Sequence, residues 1–208
     1  MVQAERSPWA AQTARTRQAL VDAALRIFAE RGYETTTTEE IAEAAGVSPR
    51  TFFRYFPTKE SVLFFGEYEF VESFAGVYQG QPVGLSEVEA VGASFVLLAP
   101  GVARLRKRIA LYQKAVASSA ALRGREQDNH DAHAATVSRA IAARRGLAIP
   151  DAGCELLGAV AVLVLQRAID AWLAGPPRVD LADAIASEFA LLGEVVAAGT
   201  AGPTAIDF

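Results

Sequence analysis

The stretch Thr37–Lys59, TTEEIAEAAGVSPRTFFRYFPTK, decides how the chain is read. Thr37 has the makings of a helix start: its hydroxyl can cap the backbone at Glu40 while that carboxylate reaches back in a capping box. Gly46 closes this short helix, since glycine takes the left-handed conformation past a helix end without a Cβ penalty. Only Val47 and Ser48 then precede Pro49, which suits a first helical position because its missing N–H would have no partner there anyway. Ser48 becomes the natural N-cap of the next helix, expected through about Phe56. Two short helices around a tight turn are the layout of a helix-turn-helix, whose second helix enters the major groove of DNA.

A helical wheel at about 100° per residue sharpens this reading. Phe52 and Phe56 fall together and mark the buried side, Arg50 and Arg54 lie opposite with Thr51 near them, and Phe53 and Tyr55 occupy the flanks. By reach, Arg50 and Arg54 are expected to donate to guanine edges or phosphates, and Thr51 to offer its hydroxyl to phosphate or its methyl to thymine. Tyr55 and Lys59 suit phosphate, and Thr37 and Ser48 stand at helix starts, where exposed amides favour an anionic oxygen.

Working outward, Leu20, Ala23, Ala24, Ile27 and Phe28 recur on one side of a preceding helix that Gly32 ends. Residues 1–14 lack a sustained period and are expected to form a flexible arm. After Pro57, Thr58 is expected to cap one long fourth helix reaching about Tyr78. Further helices are expected near 86–98, 101–120, 124–145, 152–174 and 180–197, separated at Pro100, Gly146, Pro150 and Gly175–Pro177. No period-2 strand competes with them. The predicted organisation is all-α: an arm at 1–14, a helix-turn-helix domain at 15–57, a larger helical effector-binding and dimerisation domain at 58–198, and a flexible tail at 199–208.

Composition sets outer limits. The net charge of −4 argues against a molecule coated in basic surface, yet a DNA-reading face is local. Of the 20 basic and 24 acidic residues, eight of each lie in residues 1–60, so the whole excess of negative charge belongs to residues 61–208. The single cysteine, Cys154, lies in an apolar stretch and reads as a small buried hydrophobe. The longest apolar stretch, Gly158–Leu165, is far below the roughly 18 residues of a membrane span, and the chain through Arg17 lacks the apolar run of a secretion signal, so a cytoplasmic location is expected.

Residues 23–63, AALRIFAERGYETTTTEEIAEAAGVSPRTFFRYFPTKESVL, resemble the TetR-type bacterial transcriptional regulators. The resemblance implies a three-helix DNA-binding domain joined to a helical domain for ligand binding and dimerisation. It also implies a phosphate contact at Thr37, groove-facing residues at Arg50 and Thr51, and phosphate clamps at Tyr55 and Lys59. Arg50 stands where many members have a small residue, and Phe53 where many have a tyrosine, so the base-reading pattern is this chain's own. RLRKRIALYQ at 104–113 and SSAALRGRE at 118–126 are similar to the subgroup that includes the mycofactocin-type regulator.

Three further expectations follow. Double-stranded operator DNA is the expected partner, bound by a homodimer, because one helix-turn-helix contacts too little DNA for high specificity. The stripes Leu157, Ala161, Val164, Ala168 and Leu181, Ile185, Phe189, Leu192 are candidates to close a four-helix bundle between subunits, core packing within one subunit being the alternative. Phe64, Phe65, Tyr68, Phe74, Phe95, Tyr112 and Trp172 are candidates to line an effector pocket. The subgroup resemblance suggests an acyl-coenzyme A-like effector, with Arg104, Arg106, Lys107 or Arg108 for its phosphates. A ligand-responsive repressor is therefore the expected function, with effector binding releasing DNA through the rigid fourth helix.

His130 and His133 stand i, i+3 beside Asp128 and Asp131, but two imidazoles without clear further ligands make a weak metal set, and neither metal nor cofactor is expected. No GxSxG elbow, P-loop or HExxH motif supports an enzyme. A dimerising scaffold without specific DNA binding is the remaining rival.

Overall fold

A computed structural model of the chain describes residues 8–64 and 67–200, with side chains described for residues 9–64 and 73–198. Among the described residues there are nine α-helices and no strand. They are α1 (Pro8–Arg31), α2 (Thr38–Ala44), α3 (Pro49–Tyr55), α4 (Glu67–Gln79), α5 (Glu87–Ala103), α6 (Arg106–Ala117), α7 (Ala120–Arg144), α8 (Ala152–Ala174) and α9 (Leu181–Thr200), with a 3-10 turn at Glu60–Val62.

The chain divides into two compact units. One takes in residues up to Glu67 together with Lys107–Gln127, and the other Tyr68–Arg106 together with residues from Asp128 onward. The core of the first joins Leu20, Ala24 and Phe28 of α1 to Ile41 of α2 and to Phe52 and Phe56, and Val116 of α6 and Leu122 of α7 close it. Residues 107–127 thus pack with the helix-turn-helix, although sequence places them far downstream.

Three expectations about elements are corrected. Residues 8–14 are not part of a loose arm: α1 begins by Pro8, with proline supplying a favourable first position and Ala10, Ala11, Gln12 and Ala14 propagating the helix. The single long fourth helix from Thr58 does not form. Phe56 turns extended (φ −135°, ψ 117°), and Thr58 and Ser61 cap each other, each hydroxyl accepting the other's N–H at 3.3 Å, which favours a tight local turn. The next α-helix among the described residues is α4, Glu67–Gln79. Pro100, read as a separator, lies inside α5. It is exposed and three residues from the helix end, so water can take up the carbonyl four residues back that loses its N–H.

In the second unit α9 packs against α5 and α8. Two glycines permit close approach. A Cβ on Gly92 would lie 2.9 Å from the Phe189 ring, and one on Gly158 would lie 2.2 Å from Ser138 Oγ and 2.6 Å from the Ala134 carbonyl oxygen of α7. The aromatic centre is Phe74, tilted on Phe95 with centroids 4.7 Å apart and stacked on Tyr78, with Phe189 beyond. Arg145 ties Glu87 at the start of α5 to Asp151, the N-cap of α8. The helix α8 is long and apolar enough to cross a membrane, and within the second unit it buries Cys154, Gly158, Ala161, Val164, Ala168 and Trp172.

Candidate nucleic-acid interface

The helix-turn-helix is built by the interactions its letters dictate. Thr37 is extended (φ −102°, ψ 159°), its Oγ1 accepts the Glu40 N–H at 3.2 Å, and the Glu40 carboxylate accepts the Thr37 N–H at 2.9 Å. Donation from the Thr37 N–H, and from the Thr37 hydroxyl at 3.2 Å, holds the Glu40 carboxyl below its ordinary value. The chain leaves α2 through Gly46 at φ 70°, in the left-handed region where a side chain would be strained. Ser48 Oγ accepts the Thr51 N–H at 3.2 Å, and Pro49 opens α3.

On α3, Phe52 is fully buried and Phe56 almost so, while Arg50, Phe53 and Arg54 are exposed and Thr51 is half-buried. The two faces drawn from the wheel therefore separate in space. Phe53 meets Phe52 edge-on at 5.4 Å yet keeps 52% of its surface exposed, beside the arginines. The Ser48 and Thr51 hydroxyls lie 3.0 Å apart at the exposed start of the helix.

Tyr55 and Lys59 have more to do than sequence suggests. The guanidinium groups of Arg54 and of Arg17 on α1 lie over the Tyr55 ring, 5.1 Å and 5.6 Å from its centroid. Burial works to raise its phenol, but hydrogen bonds from Arg54, Thr13 and Thr16 outweigh it and leave the phenol below its ordinary value. Lys59 Nζ donates to the carbonyl oxygens of Tyr33 at 2.7 Å and Thr36 at 2.8 Å, and sits 4.1 Å above the Tyr33 ring. Tyr33 in turn donates its hydroxyl to Glu60 at 3.0 Å and packs edge-on against Phe28. Burial, then the Glu60 bond and the charges of Glu60 and Glu34, push the Tyr33 phenol up to about 12. Lys59 thereby pins the α1–α2 loop and retains one proton for a further acceptor. Nothing in the spacing of Tyr33, Lys59 and Glu60 signals this cluster, because the loop that brings them together spans two helices.

The remaining candidates are dispersed. Phe64 and Tyr112 meet edge-on in the first unit, whereas Phe74 and Phe95 pair in the second. Trp172, also in the second, is buried, donates Nε1–H to the Val179 carbonyl and carries Arg106 over its ring at 4.8 Å. The side chains of Phe65 and Tyr68 lie outside the described residues. Arg106 is used structurally: it donates to the carbonyl oxygens of Trp172 and Gly175 and so closes the C-terminal end of α8. Arg108 donates to Gln18, while Arg104 and Lys107 are exposed.

Most of the two stripes lies in the protomer core, the alternative the sequence also allows. Ala161, Val164, Ala168, Leu181, Ile185 and Phe189 are buried within the protomer, and Leu157 and Leu192 are half-buried. They are the contact between α8, α9 and their neighbours, because the more apolar face of each helix covers its own subunit's core. The exposed apolar residues of these helices are Leu156, Leu163, Leu191, Val195 and Val196. His130 and His133 are half-buried on α7, and burial lowers both imidazoles. Among the described residues no group of three or more His, Cys, Asp or Glu side chains is placed to hold a metal ion.

Residues 20–64 match the bacterial regulatory proteins of the tetR family, and residues 89–197 match the MftR C-terminal domain. The chain belongs to the TetR family. Its second half is of the MftR type, in agreement with the mycofactocin-type resemblance. Among relatives, the chain is 42% identical over 81 residues to the transcriptional regulator TcmR of Streptomyces glaucescens, covering 39% of this chain and 36% of that protein. It is 51% identical over 47 residues to BetI of Rhizobium meliloti (strain 1021), covering 23% of each. The chain thus spans about a third or less of the length of these curated relatives. Among solved structures, the TetR-family repressor FadR of Thermus thermophilus, in complex with lauroyl-CoA, is similar with TM-score 0.53 and 27% identity, over 92% of this chain and 98% of that one. FadR of Bacillus subtilis, in complex with stearoyl-CoA, has TM-score 0.56 at 21% identity over 84% and 96%, a likeness of fold.

Proposed function

We propose that the chain is a ligand-responsive transcriptional repressor that binds a palindromic DNA operator as a homodimer and works in the cytoplasm. The observation that carries the reading is the division of α3: Phe52 and Phe56 anchor it, and Arg50, Thr51 and Arg54 stand on its outward side. Arg50 and Arg54 reach base edges or phosphates, while Thr37, Ser48, Tyr55 and the remaining proton of Lys59 serve the backbone. Phe53 supplies apolar contact. The buried stripes leave Leu156 and Leu163 of α8 with Leu191 and Val195 of α9 as the surface a second copy covers.

For the effector, the lauroyl-CoA complex of the Thermus thermophilus relative supports an acyl-coenzyme A-like ligand. Exposed Arg104 and Lys107 suit its phosphates better than Arg106, which is held by α8. Binding of effector releases DNA. The helix α7 has residues in both compact units, changing from one to the other at Gln127 and Asp128, and it replaces the fourth helix as the proposed route.

The experiment is selection of duplexes from a random-sequence pool by the full chain, followed by titration of lauroyl-CoA on the recovered duplex. Specific retention and release by lauroyl-CoA are expected. Failure to retain any duplex at low salt by folded protein overturns the DNA reading, whereas retention that lauroyl-CoA strengthens overturns release alone.

A further inference from the structure

The match to the tetR family begins at residue 20, and α1 extends N-terminally of it to Pro8 among the described residues. Arg17 lies over the Tyr55 ring, 5.6 Å from its centroid, which places this part of α1 beside the end of the recognition helix. At about 100° per residue, Trp9 shares its helix face with Thr13, Thr16 and the buried Leu20. Trp9 lies about 6 Å further along the axis than Thr13, and 78% of its surface is exposed. From Pro8 to Val21 the helix carries two arginines, Arg15 and Arg17, and no acid.

The surroundings of this exposed indole select the kind of partner it suits. A stable protein contact buries about 800 Å² on each side, and a lone indole among threonine, glutamine and arginine does not offer that. Positive charge, hydroxyls and one flat ring beside a DNA-reading helix instead suit the sugar–phosphate backbone: the ring covers deoxyribose carbons while Nε1–H and Arg15 donate to phosphate oxygens. We propose that the first turns of α1 form a flange of the DNA interface, with Trp9 seated on the backbone that flanks each half-site. The inference rests on the DNA-binding reading and adds to it a contact that is insensitive to base sequence.

The chain contains its own probe. It has two tryptophans, and Trp172 is 2% exposed, so acrylamide reaches Trp9 alone. On the full chain with a duplex selected from random sequence and carrying long flanks, saturation with DNA is expected to shield the quenchable emission. Trp9→Ala is expected to weaken that duplex by about fivefold or more, with no change in preference among base substitutions, and the loss is expected to vanish when the flanks are trimmed to the half-sites. Emission that stays equally quenchable on saturated protein, or equal affinity of Trp9→Ala and wild type for the long duplex, overturns the flange while leaving the regulator intact. Shielding without DNA that grows with protein concentration assigns the ring to a second copy and also overturns it. If the wild-type chain retains no duplex, the DNA reading and the flange fall together.

Discussion

Lys59 and Tyr33 are bound to each other twice: the ammonium donates to the Tyr33 carbonyl at 2.7 Å and lies 4.1 Å from the centre of the Tyr33 ring. A residue expected only to touch phosphate is thus also a staple of the domain. Lys59→Met is expected to lower the stability of the free protein by about 1.5–3 kcal/mol, the range for hydrogen bonds to a charged group. Urea midpoints measured without DNA check this. An unchanged midpoint, with only the salt dependence of DNA binding reduced, would return Lys59 to a purely phosphate-contacting role.

Arg50 is exposed at the start of α3 with Thr51 beside it. Arg50→Ala is expected to cost about 1–3 kcal/mol on the selected operator and to relax preference at one base pair, as for a bidentate guanine contact. Titrations against single-base variants of the duplex decide it. A uniform loss across all variants would reassign Arg50 to phosphate.

Leu163 projects from α8 with 57% of its surface exposed, whereas Ala161 and Val164 beside it are buried. Leu163→Glu is expected to yield folded monomers, since it introduces a charge into the surface a second copy covers and leaves the protomer core intact. Sedimentation at micromolar concentration, with helicity followed by circular dichroism, tests this. A dimer that survives the substitution places the interface elsewhere.

Gly158 and Gly76 make a matched pair. Gly158→Ala drives a methyl against the Ala134 carbonyl and Ser138, part of which is backbone and cannot swing aside, and a loss of about 1–3 kcal/mol is expected. Gly76 lies exposed within α4 with nothing within 4 Å of a new Cβ, so Gly76→Ala is expected to gain about 0.5–1 kcal/mol from helix propensity. Denaturation of the two variants side by side reads both signs.

The hydrogen bond and charge of Arg145 hold the Glu87 carboxyl below its ordinary value of 4.5. A carboxyl lowered by folding contributes stability that is present above the unfolded value and lost as pH falls through the folded one. Glu87→Gln is therefore expected to be less stable than wild type near neutral pH, with the gap closing as pH drops below about 4.5. Melting temperatures at several pH values test it; a gap that persists undiminished at acid pH would mean Glu87 acts by packing.

The helix-turn-helix was legible because its determinants are local: Thr37, Glu40, Ser48 and Pro49 set their caps within four residues, and Phe52 and Phe56 reveal their side by period alone. For the α8–α9 stripes the sequence leaves two readings open, because a period identifies an apolar face but does not say whether its partner is the same chain or another. The fourth helix failed at Thr58 and Ser61, where two hydroxyls offered the backbone a competing turn. Contacts across dozens of residues, such as Lys59 with Tyr33 or Arg106 with the end of α8, leave no local period to read.

Val116 and Leu122 close the core around Phe28 and Phe52 although they belong to the downstream half of the sequence. The reading head is therefore not a cassette that can be cut out at Glu67. Chimaeras that exchange DNA specificity between relatives by swapping only the first 67 residues would join one parent's head to another parent's lid. A graft that carries 107–127 along keeps the lid matched to its head, so the portable unit of specificity in this chain is discontinuous.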